Sequence, residues 1–218
     1  MTPHSTVVRT LATLALAVFA VSACSPTTLL TLRVEATQFL DVADTSQDIP
    51  VPTPPTSVTL PGPIERYFPD QSGFVLADLG LSSDVASALE GLSFDLELDV
   101  TSTLQSADPG ASGALDLTVT LFIAEAGSNV DTGTQVATDT VTLTAGEGGT
   151  ITLSVDMTSD ENAAAYAIVQ DGNATLGIQL TLDSTLVTPA GTNQLDVTAT
   201  IETLNLGITS GLNALLNF

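Results

Sequence analysis

The 218-residue chain has 25 acidic residues against three basic ones, no lysine and no tryptophan, and a formal net charge of −22. Such a surface excludes nucleic acid and anionic lipid headgroups as electrostatic partners, because their capture rests on Lys and Arg. The one histidine, His4, and the one cysteine, Cys24, both lie near the start. Everything beyond them therefore lacks a histidine base, a thiol or lysine nucleophile, and the ligands of zinc, copper or haem sites.

Residues 1–10 are polar with one fixed positive charge, Arg9, and residues 11–23 (LATLALAVFAVSA) form an uncharged apolar run. That run is shorter than the roughly 20 residues a membrane-spanning helix needs, and it has the build of a secretory signal peptide. It ends in Val21-Ser22-Ala23-Cys24. The small residues 22 and 23 suit the narrow pocket of a signal peptidase, and the thiol that follows suits thioether attachment of diacylglycerol. These residues resemble the lipobox of bacterial lipoproteins. The resemblance implies a signal peptide over 1–23, recognised at Val21, Ser22 and Ala23, and a lipidated tether over 24–27. It implies an exported chain anchored to a membrane of the cell envelope through acyl lipid on Cys24. Several acyl chains on one residue anchor stably where a single chain is marginal. In Gram-negative families an Asp after the cysteine commonly marks inner-membrane retention, so Ser25 implies the outer membrane if the source is Gram-negative. From Cys24 onward, Arg33 and Arg66 face all 25 acids, a formal net charge of −23. A surface so acidic suits a salty habitat, where the Debye length shrinks to about 3 Å at 1 M salt. A GC-rich genome poor in lysine codons would give the same composition.

One domain is expected over 28–218. Leu30, Leu32 and Val34 alternate with Thr31, Arg33 and Glu35, which predicts a first strand. Residues 49–63 (IPVPTPPTSVTLPGP) read as a proline-rich connection with a short edge strand near Val58 and Leu60. Residues 82–90 read as a short helix ended by Gly91. Period-2 alternation then predicts strands through Phe94–Val100, Leu115–Ile123, Leu176–Leu182 and Leu195–Ile201, the last continuing toward Leu206 and Ile208. Val141 and Leu143 are expected to pair, across the turn 145–149, with Ile151, Leu153, Val155 and Met157. A helix over 163–169 follows Ser159-Asp160-Glu161-Asn162 and closes at Gly172.

These elements predict a mainly β fold, an antiparallel β-sandwich of seven or eight strands, immunoglobulin-like or related, with one or two short helices. A transmembrane barrel also alternates, but its aromatic girdles do not fit a chain that is 4% aromatic. The segments FDLELDVTSTL (94–104), ALDLTVTLFIA (114–124) and TVTLTAGEGGTITLSVDM (140–157) loosely resemble the sandwich domain of group 2 late-embryogenesis-abundant proteins. Gln105-Ser106-Ala107-Asp108-Pro109 stands where that family commonly has an Asn-Pro-Asn-type turn. The resemblance implies a fold and carries over no functional residue.

Each candidate site has a plain structural alternative. Asp95, Glu97 and Asp99 share one strand face, as a cation-binding or adhesive strip or as a solvated face that discourages edge pairing. Asp156, Asp160 and Glu161 cluster at a strand-to-helix turn, where hard oxygens can bind Ca²⁺ or stabilise the helix start. Asp171-Gly172-Asn173 lacks the spacing of a Ca²⁺ loop and reads as a helix-ending turn. Asn173-Ala174-Thr175 fits a glycosylation sequon that short sequences also give by chance. Leu212, Leu215, Leu216 and Phe218 are apolar, for packing or for a partner. Tyr67 and Phe68 offer an aromatic patch or a buried pair.

The function that fits is a non-enzymatic envelope lipoprotein whose sandwich is structural or binds an unknown envelope protein. A carrier or chaperone for an apolar ligand is the alternative. A Ca²⁺-dependent adhesin and a carboxylate-only hydrolase rank lower, and no cofactor beyond the acyl lipid is expected.

Overall fold

The computed structural model describes residues 29–41, 45–51, 58–59, 63–79, 81–106, 111–187 and 193–211. Val21, Ser22, Ala23 and Cys24, the tether and the apolar residues 212–218 lie outside them. Among the described residues, no helix is long and apolar enough to cross a membrane.

The chain forms an antiparallel β-sandwich of two sheets. The strands are β1 (Leu29–Glu35), β2 (Ser46–Val51), β3 (Val58–Thr59), β4 (Ile64–Phe68), β5 (Phe74–Val75), β6 (Leu89–Ser106), β7 (Ser112–Glu125), β8 (Thr134–Thr144), β9 (Gly148–Met157), β10 (Ala174–Val187) and β11 (Asn193–Gly211). Two helices are present among the described residues, α1 (Ser83–Ser87) and α2 (Ala163–Gln170).

The pairing is nested like the rungs of one long hairpin. β7 pairs with β8 and β6 with β9. β10 carries β3, β4 and β5 end to end along one edge, and β11 carries β1 and β2 in the same way. Rolling that hairpin over gives the order β1/β2–β11–β6–β9 in the first sheet and β3/β4/β5–β10–β7–β8 in the second. This is jelly-roll connectivity, where the alternation alone had suggested an immunoglobulin-like or related sandwich.

The core follows from the period of two. Leu92, Phe94, Leu96, Leu98 and Val100 on β6 face Leu115, Leu117, Val119, Leu121 and Ile123 on β7 and Leu176, Ile178, Leu180 and Leu182 on β10, all of them buried. On β11 the buried positions are 195, 197, 199 and 201, then 204, 206 and 208. The change of parity is a bulge at Glu202: Ile201 pairs with Leu98 and Thr203 with Glu97. One extra residue lets a 19-residue strand stay in register with β6 and keep its apolar side chains inward.

Three expectations need correction. First, β8 and β9 do not pair. β8 belongs to the second sheet and β9 to the first, and the turn between them crosses the sandwich. Ala145 N–H donates to Gly113 O at 2.9 Å, on the β7 side. Glu147 O accepts from Ser102 N at 3.2 Å and Ser102 Oγ at 2.6 Å, on the β6 side. Each arm of the turn is therefore already bonded to a different sheet. Gly146, at φ +93°, makes the corner.

Second, the first helix is shorter than 82–90. Ser82 Oγ caps it, accepting from Val85 N at 3.5 Å, but it ends at Ala88. Leu89 already belongs to β6 and is buried, and its carbonyl accepts from Tyr166 Oη at 2.5 Å. Burial of Leu89 and that hydrogen bond override the local helical pattern. Third, Asp160 and Glu161 do not enter the first turn of α2. Its N-cap is Asn162 in the left-handed conformation, φ 59°, with no side-chain cap bond. Glu161 instead closes a turn with Thr158: Thr158 N–H donates to Glu161 O at 3.2 Å, and Glu161 N–H donates to Thr158 Oγ1 at 3.1 Å. Gly172 ends the helix at φ +73°, as expected.

On the outside of the second sheet, the segment 126–133 folds back over the start of β10. Val130, fully buried, presses on Gly177, where an added Cβ would lie 2.3 Å from Val130 Cβ. Val130 N–H donates to Gln71 O at 3.0 Å, and Gly73 leaves room for Val130 Cγ1. Val130 thus sits against two glycines, Gly73 and Gly177.

Candidate functional site

Period-2 strands put half their side chains on the outer faces, and here those faces carry hydroxyls and carboxylates. On the first sheet Ser154 Oγ donates to Asp95 Oδ1 at 2.6 Å, and Thr150 Oγ1 donates to Asp99 Oδ1 at 3.3 Å. Thr152 stands opposite Glu97 in the register. Farther along, Thr198 Oγ1 donates to Asp48 Oδ1 at 2.8 Å. The three-acid strip of β6 therefore faces a strand of Ser and Thr on its β9 side, which meets the carboxylates with donors instead of like charge.

On the second sheet the register aligns outward residues across the strands. One row runs Glu65, Thr181, Thr118, Thr140, and the next runs Tyr67, Gln179, Thr120, Thr138. Thr118 Oγ1 and Thr140 Oγ1 are 2.9 Å apart, and Thr120 Oγ1 and Thr138 Oγ1 are 3.2 Å apart. Gln179 Nε2 donates to Tyr67 Oη at 3.0 Å, and Tyr67 Oη donates to Glu65 Oε2 at 3.5 Å. Partial burial, then the charges of Glu65 and Asp131, raise the Tyr67 phenol above its ordinary 10.0, so it stays a neutral donor. Phe68, its neighbour, is fully buried, which leaves Tyr67 alone at the surface. Glu65, Asp131 and Gln179 were not singled out from the sequence. The outward parity of Gln179 was readable within Leu176–Leu182, but β4, the turn that carries Asp131 and the register that gathers all three at Tyr67 were not.

The acidic turn is spread out. Asp156 is exposed at the end of β9, and Asp160 and Glu161 are exposed in the turn that follows. Among the described residues, no three His, Cys, Asp or Glu side chains are grouped to hold a metal ion. At the sequon, Asn173 is exposed but Thr175 is 1% exposed, and its hydroxyl has no hydrogen-bond partner among the described residues. An enzyme that reads the sequon hydroxyl would find it covered in the folded chain. Asp171 forms the C-cap of α2. A tight turn at Asp70 accepts hydrogen bonds from Ser72 Oγ at 2.5 Å and Ser72 N at 2.7 Å, and these lower the Asp70 carboxyl below its ordinary 3.8.

These outer faces can accept and donate hydrogen bonds and attract cations. No protein-family model matches the chain, and a search of the curated proteins finds no relative. Solved structures with a distant similarity include viral capsid proteins. The infectious bursal disease virus T13 particle protein is 13% identical, with 86% of this chain and 36% of that chain covered and a TM-score of 0.29. The Triatoma virus empty capsid is 16% identical, covering 76% of this chain and 92% of that one, at 0.27. Rhinovirus-B5 is 13% identical, covering 97% and 85%, at 0.26. The chain spans little more than a third of the length of the bursal disease virus proteins it matches.

Proposed function

We propose that the chain is a bacterial envelope lipoprotein, cut before Cys24 and anchored by acyl lipid on that residue, whose jelly-roll sandwich serves a structural or partner-binding role without catalysis. The observation that carries this reading is Val21-Ser22-Ala23-Cys24 at the end of an uncharged apolar run. The start of β1 at Leu29 supports it. Leu29 lies five residues after Cys24, at most about 18 Å away when the chain is extended, so the acidic sandwich stays close to the bilayer.

Mass spectrometry of the amino-terminal peptide and fractionation of host cells test the reading together. The native chain is expected in the membrane fraction, with diacylglycerol mass on Cys24, and Cys24→Ala is expected to lose both. Native chain in the soluble fraction, or a Cys24→Ala chain that still partitions with membranes, overturns the anchor.

A further inference from the structure

The two sides of the sandwich treat their sheet edges differently. On one side the edges are β1/β2 and β3/β4/β5, and none of these strands exceeds seven residues. A 3₁₀ turn at Ala36–Phe39 and prolines at 52, 54, 55, 61, 63 and 69 lie between them. Short, interrupted strands are how natural sheets blunt an edge. On the other side β8 and β9 run for 11 and 10 residues without proline, β8 with one bulge at Val136 and β9 with none. Among the described residues, no strand pairs with the far edge of either.

β8 carries its own protection. Asp139 pairs with the fully buried Val119, so it sits on the core side of an edge strand and is exposed there. An inward charge of this kind disfavours strand addition. β9 has no such device, since its core-side positions are Ile151, Leu153 and Val155. The bond from Ser102 N to Glu147 O fixes the parity of the ladder. Odd residues of β9 turn their backbone groups toward β6. Gly148, Thr150, Thr152, Ser154 and Asp156 present theirs to the open edge. Val155, with Val136, Val141 and Leu143 of β8, packs against the core and is only partly buried.

We propose that β9 is a self-association edge, on which a second copy of this chain pairs antiparallel and joins two four-strand-wide sheets into one. The strand is self-complementary. Pairing Thr152 with Ser154 of the second copy sets Leu153 opposite Leu153 and Ile151 opposite Val155. It also sets Asp156 opposite Thr150, the hydroxyl-to-carboxylate contact that Ser154–Asp95 and Thr150–Asp99 already make within the sheet. No acid meets an acid. On β8 the same operation about the strand centre sets Asp139 against Asp139. The acids of β6 lie one strand further in, so those of the two copies are separated by three strand spacings, about 14 Å. Salt at 1 M, with a Debye length of about 3 Å, removes that repulsion, whereas at about 0.1 M a length near 10 Å leaves part of it. The proposal does not depend on the lipid on Cys24.

Sedimentation velocity of the full chain in mild detergent, at about 0.1 M and about 1 M NaCl, tests it. The expected result is a dimer whose share rises with salt and which Thr152→Pro abolishes. Thr152 N–H faces the open edge, so proline there breaks no bond within the fold. Thr152→Glu, which adds an acid beside Glu97 on each copy without touching the backbone, is expected to give the same loss at about 0.1 M NaCl if the proline variant fails to fold. A monomer at both salt concentrations overturns the proposal. So does a dimer that survives both Thr152 variants, or one lost through Thr140→Pro on β8 instead.

Discussion

Replacing Gly177 with alanine tests whether the 126–133 segment is keyed into the outer face of β10. The new Cβ would lie 2.3 Å from Val130 Cβ and 2.8 Å from each of its Cγ atoms. Carbon atoms pack at about 3.5–4.0 Å, so Val130 must move by more than 1 Å, and it is fully buried. Overpacking of this kind costs about 1–3 kcal/mol. Relief of the glycine's strand penalty offsets about 0.5–1 kcal/mol of that. A net loss of about 1–2 kcal/mol lowers the Tm of a domain this size by about 2–8 °C. Thermal unfolding followed by circular dichroism measures it. The reasoning requires coupling: in a Val130→Gly background the same Gly177→Ala change should cost much less, with a coupling energy of about 1–3 kcal/mol. An unchanged or raised Tm for Gly177→Ala, or an equal cost in both backgrounds, refutes the keyed contact.

Ser102→Ala removes the hydroxyl that donates to Glu147 O and accepts from Gly146 N at 2.9 Å. Leaving a donor without an acceptor costs about 1–3 kcal/mol, so denaturant unfolding should show a lower midpoint with an unchanged m-value. The chain's two tyrosines, Tyr67 and Tyr166, are both raised above 10.0, first by burial and then by neighbouring carboxylates. Fewer than half should ionise at pH 10 in the folded state by near-ultraviolet absorbance. Because folding favours the neutral phenol, the stability they lend is full below pH 10 and falls as pH rises through their raised pKa values. Asp70 has the opposite sign. Its lowered carboxyl favours the fold above pH 3.8 and loses that effect as pH falls through the depressed pKa. The Tm gap between the native chain and Asp70→Ala should therefore be widest near neutrality and narrow in acid.

Much of the architecture was legible because strand periodicity is local. Phe94 to Val100, Leu115 to Ile123 and Leu176 to Leu182 each announce one buried face. What was not legible is which strands lie in which sheet. A Gly-rich turn such as 145–149 signals a reversal, but a reversal within one sheet and a crossing between two sheets need the same residues. The bonds that decide it reach Gly113 and Ser102, more than 30 residues away. The end of α1 was missed for a similar reason, since Leu89 is claimed by Tyr166, 77 residues on. The acidic strip of β6 was readable, but the hydroxyls that answer it come from β9. The setting of Tyr67 was hidden in the same way, because Gln179 and Asp131 reach it only through tertiary register.

The nested pairing also orders events in time. The hairpin β7–β8 closes locally, β6–β9 can then zip onto it, and β1 must wait for β11, as Thr31 and Thr209 meet across 178 residues. Such long-range closure makes folding slow and late. In a chain threaded through a membrane from its amino terminus, the first strand to emerge finds its partner only after the last has followed. On the export route proposed above, this topology would delay the complete fold until transit is over.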